Sequence, residues 1–309
     1  MTRQSRLQTY VAGTKERNLL ILDELRAKIL DEAHLPDSRG VCILVTGSDG
    51  RLEKGFWSKP EPIIVHSGVP ETAAKLSSAL LSIRSQAPEL VADFDFELKD
   101  LSSGEVFCYA YNQKGRSYPQ RIWDSKSVFG DKEVLNASKD RVVRELRSRQ
   151  WAKIKDDLSS IRKNHKRAME SGRQVWKGTA VVNYDFDSGI SYFCNFENAQ
   201  ARSFKHGPLR FVQSWLVATL AASIREGTEA EACKLIADLP TPTDEKIKYL
   251  FDLGKIKLSQ EHVSDLIDAY NYFLLGYHNS ELAFSHGQSE VRFDQKEVRA
   301  YIEFLVRNL

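Results

Sequence analysis

Residues 41–61, VCILVTGSDGRLEKGFWSKPE, decide how the first part of this chain folds. Five apolar residues, Val41 to Val45, form a run too short for a helix and stop at Thr-Gly-Ser, which predicts a buried strand feeding a tight turn. Such a turn suits an anion. Gly47 lets backbone approach a charged group closely, Ser48 adds a hydroxyl donor, and a helix starting there directs its N–H groups at negative charge. PIIVHSG, from Pro62, reads as the next strand, so Glu61 stands at its head with twelve residues between it and Ser48. Pro62 denies that strand one N–H, which predicts an edge or a bulge.

Outward from this stretch, residues 18–34 place Leu19, Leu20, Leu22, Leu25, Ile29 and Leu30 at helical spacing. Residues 71–87 read as a second helix, with Pro70 and Glu71 as first-turn residues. DFDFELKDL, from Asp93, alternates strictly, so Asp93, Asp95, Glu97 and Lys99 share one face of a strand. EVFCYAYN, from Glu105, reads as another strand. The character changes after Gly130. Between Lys139 and Lys177 there are 13 basic and 5 acidic residues, an excess of +8, and Leu146, Ile154, Leu158, Ile161 and Ala168 give a long helix one apolar stripe. The polar, Gly-containing residues 171–199 read as a hairpin or long loop, and helical patterns run from there to Leu309. The expected class is α+β, a small mixed-sheet head (residues 1–135) followed by a helical bundle (residues 136–309).

Composition narrows the function classes. The chain has 309 residues, 42% hydrophobic and 28% charged, with a net charge of +2, a balance unlike that of a dedicated nucleic-acid coat. No apolar run reaches the roughly 18 residues needed to span a bilayer, so no membrane partner is expected. The first twenty residues are basic and polar where a secretory signal needs an apolar stretch. Cys42, Cys108, Cys194 and Cys233 are scattered, without the paired spacing of a zinc site or a disulfide framework. A cytoplasmic protein is expected.

A carboxylate at a strand head facing a phosphate turn is what metal-dependent phosphoryl or nucleotidyl transfer needs, because a bound ion bridges carboxylate and phosphate oxygens. GSDGRLEKGFWSKPE resembles the signature of the polymerase-β-type nucleotidyltransferase superfamily, in which Gly-Ser is followed by Arg-x-Glu and then Ser-Asp-x-Asp. The flavour is that of the PII-uridylyltransferases and glutamine synthetase adenylyltransferases. SFKHGPLRFVQSWL, residues 203–216, resembles the Lys-x-Gly-x-Gly-Gly-Leu-Arg segment that opens their helical part. LIDAYNYFLLGYHNSELAF and RIWDSKSVFGD resemble a bundle helix and the region closing the catalytic head, and the matches fall in the family order across residues 41–285.

The resemblance implies transfer of a nucleoside monophosphate from a nucleoside triphosphate to a hydroxyl of a protein or small-molecule acceptor. It implies Mg²⁺ or Mn²⁺ held by Glu61 with Asp95 or Glu97. Gly47, Ser48, Arg51, Lys205 and Arg210 would contact the nucleotide, and Glu61, Glu97 and Lys59 would act in catalysis. The departures are specific. Lys59 falls on the first metal aspartate and Glu61 on the second, and a protonated lysine repels a cation. The Gly-Gly of the second segment is Gly207-Pro208. A nucleotide-sensing or protein-binding module on the same fold, its chemistry lost, is therefore the alternative.

Overall fold

The computed structural model describes residues 3–35, 38–55, 59–92, 96–103, 119–148, 150–175, 181–185, 190–194, 204–286 and 295–309. Its sheet has the order β3-β2-β1-β4, formed by β1 (Val41–Val45), β2 (Pro62–His66), β3 (Glu97–Asp100) and β4 (Lys126–Gly130). The central strand β1 runs antiparallel to β2 and β4, while β2 and β3 pair in parallel. All five residues of β1 are buried because both sheet faces are covered, which is why the strand reads as a continuous apolar run rather than an alternating one.

On one face α1 (Arg3–Ala33) and α3 (Pro70–Gln86) pack Leu25, Ile29, Leu76 and Leu80 against Val41, Ile43, Val45 and Ile64. On the other, Cys42, Leu44, Ile63 and Val65 join a core that continues through α5 (Lys132–Arg147) into the bundle. Two short helices, α2 (Gly47–Gly50) and α4 (Gln120–Trp123), sit at the sheet rim. Beyond α5 come α6 (Trp151–Val175) and a hairpin of β5 (Val181–Asp185) and β6 (Ile190–Cys194). A π-turn at Lys205–Leu209 then leads to α7 (Arg210–Glu226), α8 (Glu229–Ala237), α9 (Thr243–Asp252), α10 (Gln260–Ser285) and α11 (Gln295–Asn308). Among the described residues, no helix is long and apolar enough to cross a membrane.

The mixed-sheet head, the hairpin and the helical remainder follow the sequence expectation. Four local readings need correction. Pro62 heads an interior strand without a bulge: β2 lies between β1 and β3, its register with β1 is unbroken, and its pairing with β3 starts one residue on, at Ile63. The first helix begins at Arg3, not Asn18: its buried stripe is Leu7, Val11, Thr14, Asn18, Leu22, Leu25 and Ile29, and two polar members hide the periodicity, while Leu19, Leu20 and Leu30 face outward. The basic stretch is two helices, broken at Ser148, whose extended backbone caps α5. The strand β4 was not anticipated; it is short, and a register shift interrupts its pairing with β1. The expected boundary at residues 135/136 falls inside α5. The expected strand at Glu105, and Asp93 to Asp95 of the alternating strand, lie outside the described residues.

Three arginines of α5 and α6 donate to backbone carbonyls. Arg141 donates to Leu101 and Ser103, Arg147 to Ile224 and Gly227, and Arg162 to Leu309. These arginines tie α5 and α6 to the turn after β3, to the C-terminal end of a bundle helix and to the carbonyl of Leu309.

Candidate functional site

The sheet register gathers one rim. Val45, the last residue of β1, lies opposite Pro62 at the start of β2 and Lys126 at the start of β4, and Glu97 opens β3 beside Ile63. The Thr46–Glu53 turn, the segment Lys59 to Glu61, Glu97, and the helix α4 that precedes β4 therefore meet along one edge.

The turn is closed by its own backbone. The N–H groups of Gly50, Arg51, Leu52 and Glu53 donate to the carbonyls of Thr46, Gly47, Asp49 and Ser48 at 3.3, 3.1, 3.0 and 2.8 Å. Those of Gly47, Ser48 and Asp49 precede the first closure, as at any helix start. Gly47 takes φ +61° and Leu52 φ +59°, the left-handed region that a leucine rarely occupies. Gly50 is required for another reason: a Cβ there would lie 1.8 Å from the Asp124 carbonyl oxygen. Behind the turn, Asn18 of α1 donates to the carbonyls of Leu52 (3.4 Å) and Lys54 (3.2 Å), and Arg17 also reaches Lys54. Asn18, one of the two polar residues that disguised α1, is thus among those that brace this loop.

Inward from the turn lies a buried charge network. Arg51 donates through Nε to Glu53 (2.8 Å) and through Nη1 to Asp124 (3.0 Å). Asp124 also accepts from Gln120 at 2.6 Å and from Lys246 of α9. Glu53 accepts from the Tyr270 hydroxyl at 2.6 Å and the Thr243 N–H at 2.8 Å, and Gln213 of α7 donates to Tyr270 at 2.9 Å. The Glu53 carbonyl accepts from Nε2 of the buried His278, whose Nδ1 lies 2.7 Å from the Tyr10 hydroxyl. Burial opposes the charge of Arg51, but Glu53 and Asp124 outweigh it and hold the guanidinium more firmly protonated than usual. Burial, reinforced by Glu53, keeps the Tyr270 phenol well above its ordinary range. The same network takes in both residues of the Arg-x-Glu motif and joins the head to α7, α9 and α10.

Outward from the turn the charges are half-buried. Glu97 accepts from Arg121 Nη1 at 2.8 Å through one oxygen and from Lys99 Nζ at 2.9 Å through the other. Arg121 Nε reaches the Thr46 hydroxyl at 3.4 Å. Lys59 is half-buried and Glu61 exposed. The Glu61 N–H donates to Asp49 at 3.3 Å, and Asp49 pairs inward with Lys54 at 2.9 Å. Burial raises the Asp49 carboxyl above its ordinary value against the pull of Lys54.

Of the residues expected at the site, Gly47, Ser48, Lys59, Glu61 and Glu97 come together at the rim. Arg51 turns inward into the network. Arg210 heads α7, one turn before Gln213; the side chain of Lys205, and Asp95, are outside the described residues. Sequence reasoning missed Arg121, Asp124, Lys246 and Tyr270. Tyr270 carried a usable signal, since a tyrosine on the apolar stripe of a helix must find a partner for its hydroxyl when buried. Among the described residues, no group of three His, Cys, Asp or Glu side chains is arranged to hold a metal ion. The rim offers a glycine turn, two hydroxyls and three cations, an arrangement suited to neutralising and orienting phosphate groups.

No family model matches this chain, and no curated protein matches it.

Proposed function

We propose that the rim binds a nucleoside triphosphate, its phosphates over the Thr46-Gly47-Ser48 turn, and that the chain is a nucleotide-binding module built on a nucleotidyltransferase-like head. One observation carries the reading: Lys99 and Arg121 converge on Glu97 from two separate segments of the head, with Lys59 on a third segment at the same sheet edge, beside a turn with a left-handed glycine and a serine. Cations brought to one turn by separate segments concentrate positive potential there, which favours an anion over a merely solvated charged face. Transfer is the second reading. An acceptor hydroxyl would attack the α-phosphorus and expel pyrophosphate, and the exposed Glu61, heading the strand next to Glu97, favours it.

The test is calorimetric titration of the full chain with the four nucleoside triphosphates. Ser48→Ala removes a hydroxyl donor to a charged phosphate and is expected to weaken binding by about tenfold or more, equivalent to roughly 1.5–3 kcal/mol. Unchanged affinity in this variant would sink the phosphate-turn reading. Pyrophosphate release on adding candidate acceptor proteins would promote the transferase reading over the binding one.

A further inference from the structure

We infer that this site takes its phosphate ligand without a divalent cation, the counter-charge coming from Arg121 and Lys99 held in place by Glu97. The inference rests on the nucleotide reading above and deepens it. A carboxylate that ligates Mg²⁺ must direct an oxygen lone pair at the ion, and an ammonium or guanidinium already bonded to that oxygen opposes the ion's approach. Both oxygens of Glu97 are already engaged, one by a guanidinium and one by an ammonium. Both oxygens of Asp49 are engaged, one by Lys54 on the inner side and one by the Glu61 N–H, and the residue is buried. The position where the resemblance puts the first metal aspartate holds Lys59. Among the described residues, Glu61 is then the one rim carboxylate not engaged by a cation, and it stands two residues from that ammonium. These residues do not fit a resident Mg²⁺.

What they do fit is a polyphosphate carrying its own negative charge. Arg121 is oriented by two bonds, Nη1 to Glu97 and Nε to the Thr46 hydroxyl. Its Nη2 amino group makes no hydrogen bond to a described residue, so a guanidinium already locked in direction still has donors to offer. A planar, pre-oriented guanidinium binds phosphate oxygens with little further loss of side-chain freedom. Glu97 then acts as a positioning residue that aims two cations, the reverse of the metal-ligand role its sequence position implies.

The deciding experiment titrates the full chain with ATP, GTP, CTP, UTP and inorganic triphosphate, each in Mg²⁺ and in EDTA. The expected result is affinity for at least one nucleotide that is the same or tighter in EDTA. Arg121→Ala should lower it by about tenfold or more in both buffers. Arg121→Lys, which keeps the charge but not the fork, should recover part of it, and circular dichroism on both variants separates lost binding from lost folding. Binding that appears with Mg²⁺ and vanishes in EDTA overturns the inference and leaves the nucleotide reading standing. Affinity untouched by Arg121→Ala in a folded protein overturns the role given to Arg121. No binding of any nucleotide in either buffer overturns the underlying reading and the inference with it.

Discussion

Two groups of charged side chains flank the same eight-residue turn, and they differ in what surrounds them. The inner group, Arg51, Glu53, Asp124 and Lys246, is almost wholly removed from water and each member meets partners from distant parts of the chain. The outer group, Glu97, Lys99 and Arg121, keeps 15–20% of each side chain exposed. Chemically the two are alike. Burial separates their roles, because a buried charge left without its partner is far more costly than a half-exposed one. The inner group fixes the turn to the bundle. The outer group can exchange a protein partner for a ligand oxygen at small expense to the fold.

The sharpest way to break this contrast is at Asp124, which accepts from Arg51, Gln120 and Lys246. Asp124→Ala would leave a guanidinium and an ammonium buried without their shared anion. The expected loss is about 3–5 kcal/mol of stability, read from urea denaturation at neutral pH. A loss below about 1 kcal/mol would put the inner group on the footing of a surface pair and remove the distinction drawn here.

A smaller effect is expected from the glycines, which test whether the turn is held by contact or by conformation. Gly50→Ala forces a Cβ into the backbone carbonyl of Asp124, an atom that cannot swing aside, so about 1–3 kcal/mol should be lost and the inner group disturbed. Gly47→Ala meets nothing within 4 Å and bears only the left-handed φ of +61°, about 1–2 kcal/mol. Thermal denaturation of the two variants ranks them. If Gly47→Ala proves the more damaging, close packing on Asp124 is not what holds the turn.

The turn, β1, β2 and α3 could all be read from residues 41–87, because there apolar runs, glycines and prolines act over short distances. The inner network could not. Arg51 and Glu53 are two residues apart, yet what decides their role is Asp124, 73 residues after Arg51, and Tyr270, 217 after Glu53. Nothing local distinguishes an arginine facing phosphate from one facing a buried aspartate, so Arg51 was expected at the ligand. The reverse holds for Arg121, which stands in a segment noted for closing the head but is aimed at the rim by Glu97 from another strand. The first half of α1 was missed for the same reason. Asn18 interrupts an apolar pattern because part of the surface it packs on is the polar backbone of the turn, and Thr14, one turn earlier, accepts from the same amide through its carbonyl.

The smallest expected effect is also the most informative about the outer group. Glu97→Gln keeps the volume of the side chain, and its amide oxygen can still accept from one of the two cations. Both pairs are partly solvated, so the stability change should stay below about 1 kcal/mol, against the several expected at Asp124. Ligand affinity should respond more than stability does. The amide can aim only one of the two cations that the carboxylate holds, so affinity should fall severalfold and by the same factor in EDTA and in Mg²⁺, and the fall should shrink as salt is added. A metal ligand at this position would behave otherwise: the variant would bind nucleotide more weakly in Mg²⁺ and no differently in EDTA. Calorimetry on Glu97→Gln at low and high salt, with and without Mg²⁺, separates the two. A fall confined to the Mg²⁺ buffer would return Glu97 to the metal-binding role expected from the resemblance, and would show that half-burial had been taken for a difference in function.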